Sequence, residues 1–316
     1  MEDTMLSYYT RRSRGEDFEK VPTPNHKEGV WAHVSLATSA DVETIAQKFD
    51  LDENILRDVL DDSELPRIEY DKYNNLYFFL RVAWIGKHHA VQTLPLLAVV
   101  AGESFVTISR ADIFRPDILS EKRLRVRTSD SATLLLATIA SVLENYETYI
   151  VKTSSTVKTI KGKLRSREAS NADFIRFISI NDNLNIYEYN LSEMLGTLRH
   201  LLETTQVALP KGDIEAAEDL ILYVKQLLAS VRSISRSVES IQSAHATISN
   251  NILNQRMKAL TVITLMVTIP NVFYGMYGMN VNLPYQNEPW TYGVMIATTG
   301  ILMLLAFIVA KRTKLF

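Results

Sequence analysis

The chain contains no cysteine, which excludes disulfides and thiolate metal sites. Charge is nearly absent from residues 259 to 310, where Glu288 is the one formally charged side chain. There is no phosphate-cradling glycine loop of the Walker type, no metalloprotease helix and no Ser-His-Asp context, so neither ATP-driven transport nor a chemical reaction is expected. The formal net charge is −2, which gives no global field for nucleic acid. Residues 1–10 carry Glu2 and Asp3 and lack a basic stretch followed by an apolar run. No secretory signal is therefore expected there.

What is present is two apolar segments, about Ala259–Met276 and Thr291–Ala310. Each is close to the ~20 residues that a membrane-spanning helix needs. Arg256 and Lys258 precede the first; Lys311, Arg312 and Lys314 follow the second; the connecting loop holds no Lys or Arg. The positive-inside rule then puts both termini in the cytoplasm and the loop outside. Trp290 and Tyr292 fall where an interfacial aromatic belt would hold them. The expected location is the plasma or inner membrane, crossed twice, with lipid as a partner.

The soluble part reads as mixed α/β up to about residue 130. Strands are expected near Met5–Thr10, Val30–Ala37, Leu76–Ile85, Pro95–Ala101 and Ser104–Ile108. Helices are expected over Ala40–Phe49, capped by Ser39, and over Glu53–Leu60, capped by Asp52. Residues 131–212 form a long helical hairpin, Ser131–Leu164 and Asn171–Thr205. Residues 213–277 form a stalk helix continuing into the first span. A loop at 278–290, a second span at 291–310 and a basic tail at 311–316 complete the division. A helix as long as the stalk needs neighbours, so an oligomeric bundle is expected. His88-His89 reads as an exposed turn rather than a metal site, because adjacent strand residues point to opposite faces.

Within the first span, Asn254, Met257, Thr261 (or Leu260), Thr264, Thr268, Asn271 and Gly275 recur at three-to-four spacing and share one face. A polar stripe inside a membrane span faces protein or water. One span cannot enclose a pore, so several copies around an axis are required. Pro270 leaves the Met266 carbonyl without its helical donor. Beyond it stands Tyr277-Gly278-Met279-Asn280. Mg²⁺ is small, hard and reluctant to lose its waters. A ring of neutral Asn280 amide and backbone oxygens can accept hydrogen bonds from those waters and still release the ion.

Gly278-Met279-Asn280 between two C-terminal spans, followed by a basic tail, resembles the CorA family of divalent-cation transporters. That resemblance implies an N-terminal cytoplasmic α/β/α domain, a long helical stalk, two C-terminal transmembrane helices and a homopentameric funnel. It implies Gly278, Met279 and Asn280 as the outer selectivity loop, with Gly275, Leu260, Met257 and Asn254 facing the pore, the last three at a cytoplasmic constriction. It further implies an inter-subunit regulatory Mg²⁺ between Asp58, in Leu56-Arg57-Asp58-Val59-Leu60, and Asp219, in Ala217-Glu218-Asp219-Leu220. Arg57 stands where relatives often carry an acidic residue, and the hairpin tip is basic (Lys158, Lys161, Lys163, Arg165, Arg167). The expected cargo is Mg²⁺, with Co²⁺ and Ni²⁺ as further divalent cations, and no organic cofactor. The alternatives are a zinc transporter of the same superfamily, against which Met279 speaks, and a membrane-anchored helical scaffold.

Overall fold

The computed structural model describes residues 5–13, 17–22, 29–85, 91–114, 126–165, 171–204, 210–285 and 287–312. His88-His89 and Arg167 lie outside them. The chain divides into two compact units, Met1–Glu239 and Ser240–Phe316.

The first unit is built on a seven-stranded sheet. Its strands are β1 (Met5–Thr10), β2 (Glu19–Val21), β3 (Trp31–Ser35), β4 (Arg67–Tyr70), β5 (Leu76–Ile85), β6 (Val91–Ala101) and β7 (Ser104–Ser109), in the order β2-β1-β3-β7-β6-β5-β4. Only β3 and β7 pair in parallel. Leu76–Ile85 is strand as expected, and β6 begins four residues earlier than expected. Pro95 tolerates that position because the last β6–β7 pair is Leu96 with Ser109, so only β5 flanks it.

Side chains alternate across the strands and build two cores. On one face Ala32, Val34, Phe79, Leu97, Val106 and Ile108 meet Val42, Ile45 and Leu56 of α1 (Ser39–Phe49) and α2 (Glu53–Arg57). Each such fully buried side chain contributes about 2 kcal/mol. The N-cap of α1 is Thr38 rather than Ser39: its backbone N–H donates to the Asp41 carboxylate at 2.8 Å. Asp52 caps α2 as expected, accepting from the Asn54 N–H at 2.9 Å, and a 3₁₀ turn over Asp58–Leu60 completes that segment.

The opposite face of the sheet is covered by α3 (Ser131–Arg165), which packs on β5, β6 and β7, and by α4 (Asn171–Glu203), which packs on β4 and β6. This gives the three layers that the α/β/α reading anticipates. The helix α5 (Lys211–Tyr277) begins here. Its buried Leu220, Val224, Leu227, Val231, Ile234 and Val238 recur every three to four residues. Thr133 donates to Asp213 at 3.0 Å and Tyr223 to Glu147 at 2.6 Å, so α3 runs alongside α5 in the same direction. Arg232 bonds Glu188 of the antiparallel α4 at 2.7 Å. At the hairpin tip Lys163 donates to the buried Asp173 at 3.0 Å.

In the second unit α5 continues without a break through Pro270 to Tyr277, and α6 (Thr291–Arg312) follows the loop. Both helices are long and apolar enough to cross a membrane.

Candidate functional site

Burial along the end of α5 separates two faces. Ala259, Val262, Met266, Ile269, Phe273 and Tyr277 are buried or half-buried. A cleft of about 420 Å³ between α5 and α6 is lined by Ile269, Val272 and Phe273 on one side and by Leu302, Leu305 and Ala306 on the other. Helical advance of about 100° per residue puts Met257, Thr264, Asn271 and Gly275 roughly opposite the buried stripe. Asn254, Met257, Leu260, Thr261, Thr264, Thr268, Asn271 and Gly275 are all exposed. Thr268 also borders the cleft.

The three threonines share a hydrogen-bonding state that sequence alone does not show. Thr261 Oγ1 donates to the Met257 carbonyl at 2.9 Å, Thr264 to Leu260 at 2.9 Å and Thr268 to Thr264 at 2.8 Å. A hydroxyl has one proton and two lone pairs. With the proton spent on the backbone, each exposed oxygen offers lone pairs only. These three threonines therefore present acceptors to whatever they face, suited to a cation or to the hydrogens of its hydration water.

The loop leaves α5 under helical control. The Gly278 N–H donates to the Tyr274 carbonyl at 3.0 Å and the Met279 N–H to Met276 at 3.3 Å. A Cβ on Gly278 would stand 3.3 Å from the Tyr274 oxygen, which favours glycine at this departure. Met279 and Asn280 are exposed. The far side of the loop is anchored by Thr291, whose Oγ1 donates to the Tyr285 carbonyl at 2.6 Å, and by the Tyr285 and Trp290 rings 5.3 Å apart.

Asp58 and Asp219 lie elsewhere, in the first unit. Asp219 is exposed on α5. Asp58 follows α2 and accepts from Arg67 Nη2 of β4 at 2.6 Å. Arg67 also bonds Glu69 through Nε at 2.6 Å, and Glu64 through Nη1. Partial burial disfavours its charge, yet the hydrogen bonds to Glu69 and Glu64 outweigh that and its pKa is raised. Arg57 turns away to Glu53 and Glu43. Among the described residues no group of three or more His, Asp or Glu side chains could hold a metal ion. As they stand, the residues around Asp58 fit a guanidinium rather than a divalent ion.

Comparison with known proteins draws these features together. Residues 26–312 match the model of the CorA-like Mg²⁺ transporter protein family. The chain belongs to that family. It is 20% identical over 316 residues to the cobalt/magnesium transport protein CorA of Thermotoga maritima, covering 96% of this chain and 88% of that one. With the protein of the same name from Methanocaldococcus jannaschii it shares 21% over 296 residues, covering 90% of each. The complete structure of the M. jannaschii CorA magnesium transporter superposes with a TM-score of 0.85 at 18% identity, covering 99% of both chains. The CorA architecture of an N-terminal α/β domain, a long helix and two C-terminal apolar helices is thus shared along nearly the whole chain.

Two features of this CorA member escape sequence reasoning. Arg67 sits in Arg67-Ile68-Glu69-Tyr70, whose alternation of charged and apolar residues was the available sign of an edge strand. The threonine back-bonding is anticipated only as a general habit of helical Thr.

Proposed function

We propose that the protein is the subunit of a divalent-cation transporter in which copies of α5 surround a pore for hydrated Mg²⁺, with Co²⁺ and Ni²⁺ as further cargo. The observation that carries this reading is the polar stripe on the face of α5 turned away from its buried stripe, where three threonine hydroxyls have their protons spent on the helix and offer lone pairs outward. The assembly is a homopentamer, as the family resemblance implies, with both termini cytoplasmic. Gly278, Met279 and Asn280 form the outer ring, where amide and carbonyl oxygens hold the waters of the ion without stripping them. Asn271 and the threonines pass the hydrated ion inward past Gly275. Met257 and Leu260 form the apolar constriction that gates by excluding water, and Asn254 lies below it. An inside-negative potential favours inward movement of a divalent ion by roughly 4–5 kcal/mol per 100 mV, so no energy-coupling site is required.

Mg²⁺ influx into liposomes containing a Mg²⁺-sensitive dye tests this, comparing the natural protein with Asn280→Ala under an inside-negative potential. Influx is expected to fall about tenfold or more, the loss of one water-holding ring, with the oligomer intact by size-exclusion chromatography. Unchanged influx in the variant would remove the loop from the mechanism. If the natural protein carries Zn²⁺ but no Mg²⁺, the cargo assignment fails; silence with both ions would leave a scaffold. Thr264→Val tests the stripe separately. It keeps the shape and removes the oxygen, and Mg²⁺ influx is expected to fall by roughly a few-fold.

A further inference from the structure

Arg67 is not a wandering surface cation. Its Nη2 lies 2.6 Å from Asp58, its Nε 2.6 Å from Glu69, and Nη1 bonds Glu64. The guanidinium carbon stands 4.1 Å from the centroid of the Phe79 ring, in the buried core. An exposed ion pair contributes little because two long side chains must be immobilised for it. Here the aromatic face and the carboxylates of Glu64 and Glu69 have already fixed the planar group, so its pairing with Asp58 adds almost no further ordering. A divalent ion approaching Asp58 meets a positive charge that cannot diffuse away.

We propose that Arg67 is a tethered counter-ion that does permanently at Asp58 what a bound divalent cation would do reversibly, so that this protein does not read divalent concentration through Asp58. This rests on the transport reading above. In a related assembly that used the Asp58 carboxylate to hold an ion against the partner subunit's Asp219, loss of the ion would leave two like charges facing each other. With Arg67 in place Asp58 keeps a positive partner whatever the Mg²⁺ concentration, and the repulsion that such a switch needs is weakened. The cage of Asp58, Glu64 and Glu69 around one arginine keeps a formal charge of −2, so diffuse attraction for cations persists while the bridging oxygen is occupied.

The test uses the full-length protein in liposomes and varies Mg²⁺ on the side of the N-terminal domain from micromolar to millimolar. Two readouts are taken: Mg²⁺ flux, and the rate of limited proteolysis, which does not depend on transport. In the natural protein both are expected to change by less than about twofold. Arg67→Gln removes the charge and should make both respond at about tenfold lower Mg²⁺, the size expected from one unit charge near a divalent site at the surface. Arg67→Lys, which restores a charge, should behave as the natural protein. Adding Asp219→Asn to Arg67→Gln should abolish the gained response. The inference is overturned if the natural protein is already as Mg²⁺-sensitive as Arg67→Gln, or if the gained response survives without Asp219. Absence of flux in every variant would sink the transport reading instead, and the proteolysis series would still decide the role of Arg67.

Discussion

Gly29→Ala should cost the N-terminal domain about 4 kcal/mol, a large share of the roughly 5–15 kcal/mol that holds a domain folded. Gly29 has φ +72°, a region where a Cβ costs an L residue about 1 kcal/mol. The larger part is steric. A Cβ built there would lie 2.5 Å from the Ser129 Cα and 2.7 Å from the Ser129 nitrogen, both backbone atoms. That backbone cannot retreat, because its neighbour Thr128 is sewn to the chain just after β1 and just before β3. Thr128 Oγ1 donates to the Gly29 carbonyl at 3.0 Å and accepts from the Arg11 N–H at 3.1 Å, and its own N–H donates to the Arg11 carbonyl at 3.1 Å. Gly102 supplies the control. It has φ +58° at the β6–β7 turn but nothing within 4 Å of the added carbon, so Gly102→Ala should cost only about 1 kcal/mol. Denaturant unfolding of the full-length protein in detergent, followed by tryptophan fluorescence, compares the two. Equal midpoints would show that the close approach to Ser129 does not exist.

The second large effect is acid destabilisation through His33. Its ring is buried beside Trp31 and Phe114, and burial pushes its pKa down from 6.5 to about 4, with Asp112 and the Phe114 backbone only partly opposing the shift. Thr107 Oγ1 accepts from Trp31 Nε1 at 2.9 Å and stands 2.9 Å from His33 Nδ1. The neutral imidazole is the form that fits. Above pH 6.5 both folded and unfolded chains hold His33 neutral, and the group adds no pH dependence. As pH falls from 6.5 towards 4, the unfolded chain takes up a proton that the folded one refuses. Stability therefore drains away across that window, by about 3 kcal/mol in all, and no further below it. His33→Gln should lose correspondingly less between pH 6.5 and pH 4 than the natural protein. Parallel stability-against-pH curves for the two proteins would refute the assignment.

The parts legible in the sequence are those with a strong period or an unusual lack of charge. The two apolar helices stand out because only Glu288 interrupts 52 residues of uncharged chain, a count running from 259 to 310 inclusive. The long helices show in apolar spacing free of proline, and the central strands β3, β5 and β7 in their β-branched and aromatic content. The strands that escaped, β2 and β4, are the two edges of the sheet. Edge strands are short and charged so that they do not recruit other chains, and three or four residues give too brief an alternation to stand out. Missing β4 meant missing Arg67. The sequence draws the eye to Arg57, adjacent to Asp58, but side chains next to each other in a helical turn point apart. The charge that reaches Asp58 comes from nine residues further on. The cap on α1 slipped by one residue because Thr38 and Ser39 both suit the role, and Asp41 lies at the right spacing for Thr38.

The three threonines of the α5 stripe, each with its proton turned into its own helix, have a consequence for control. From Asn254 to Asn280 the polar positions of the stripe and loop are amides, hydroxyls and peptide oxygens, none of which ionises near neutral pH. On the pore reading proposed above, such a wall of fixed dipoles holds the waters of an ion without carrying a charge of its own. The threonine, amide and peptide oxygens offer acceptors to the hydration water of a cation, and they do so equally at pH 5 and pH 8. Acid cannot switch such a lining off, and salt has no fixed charge on it to screen. On that pore reading, regulation of flow along it has to act by moving helices.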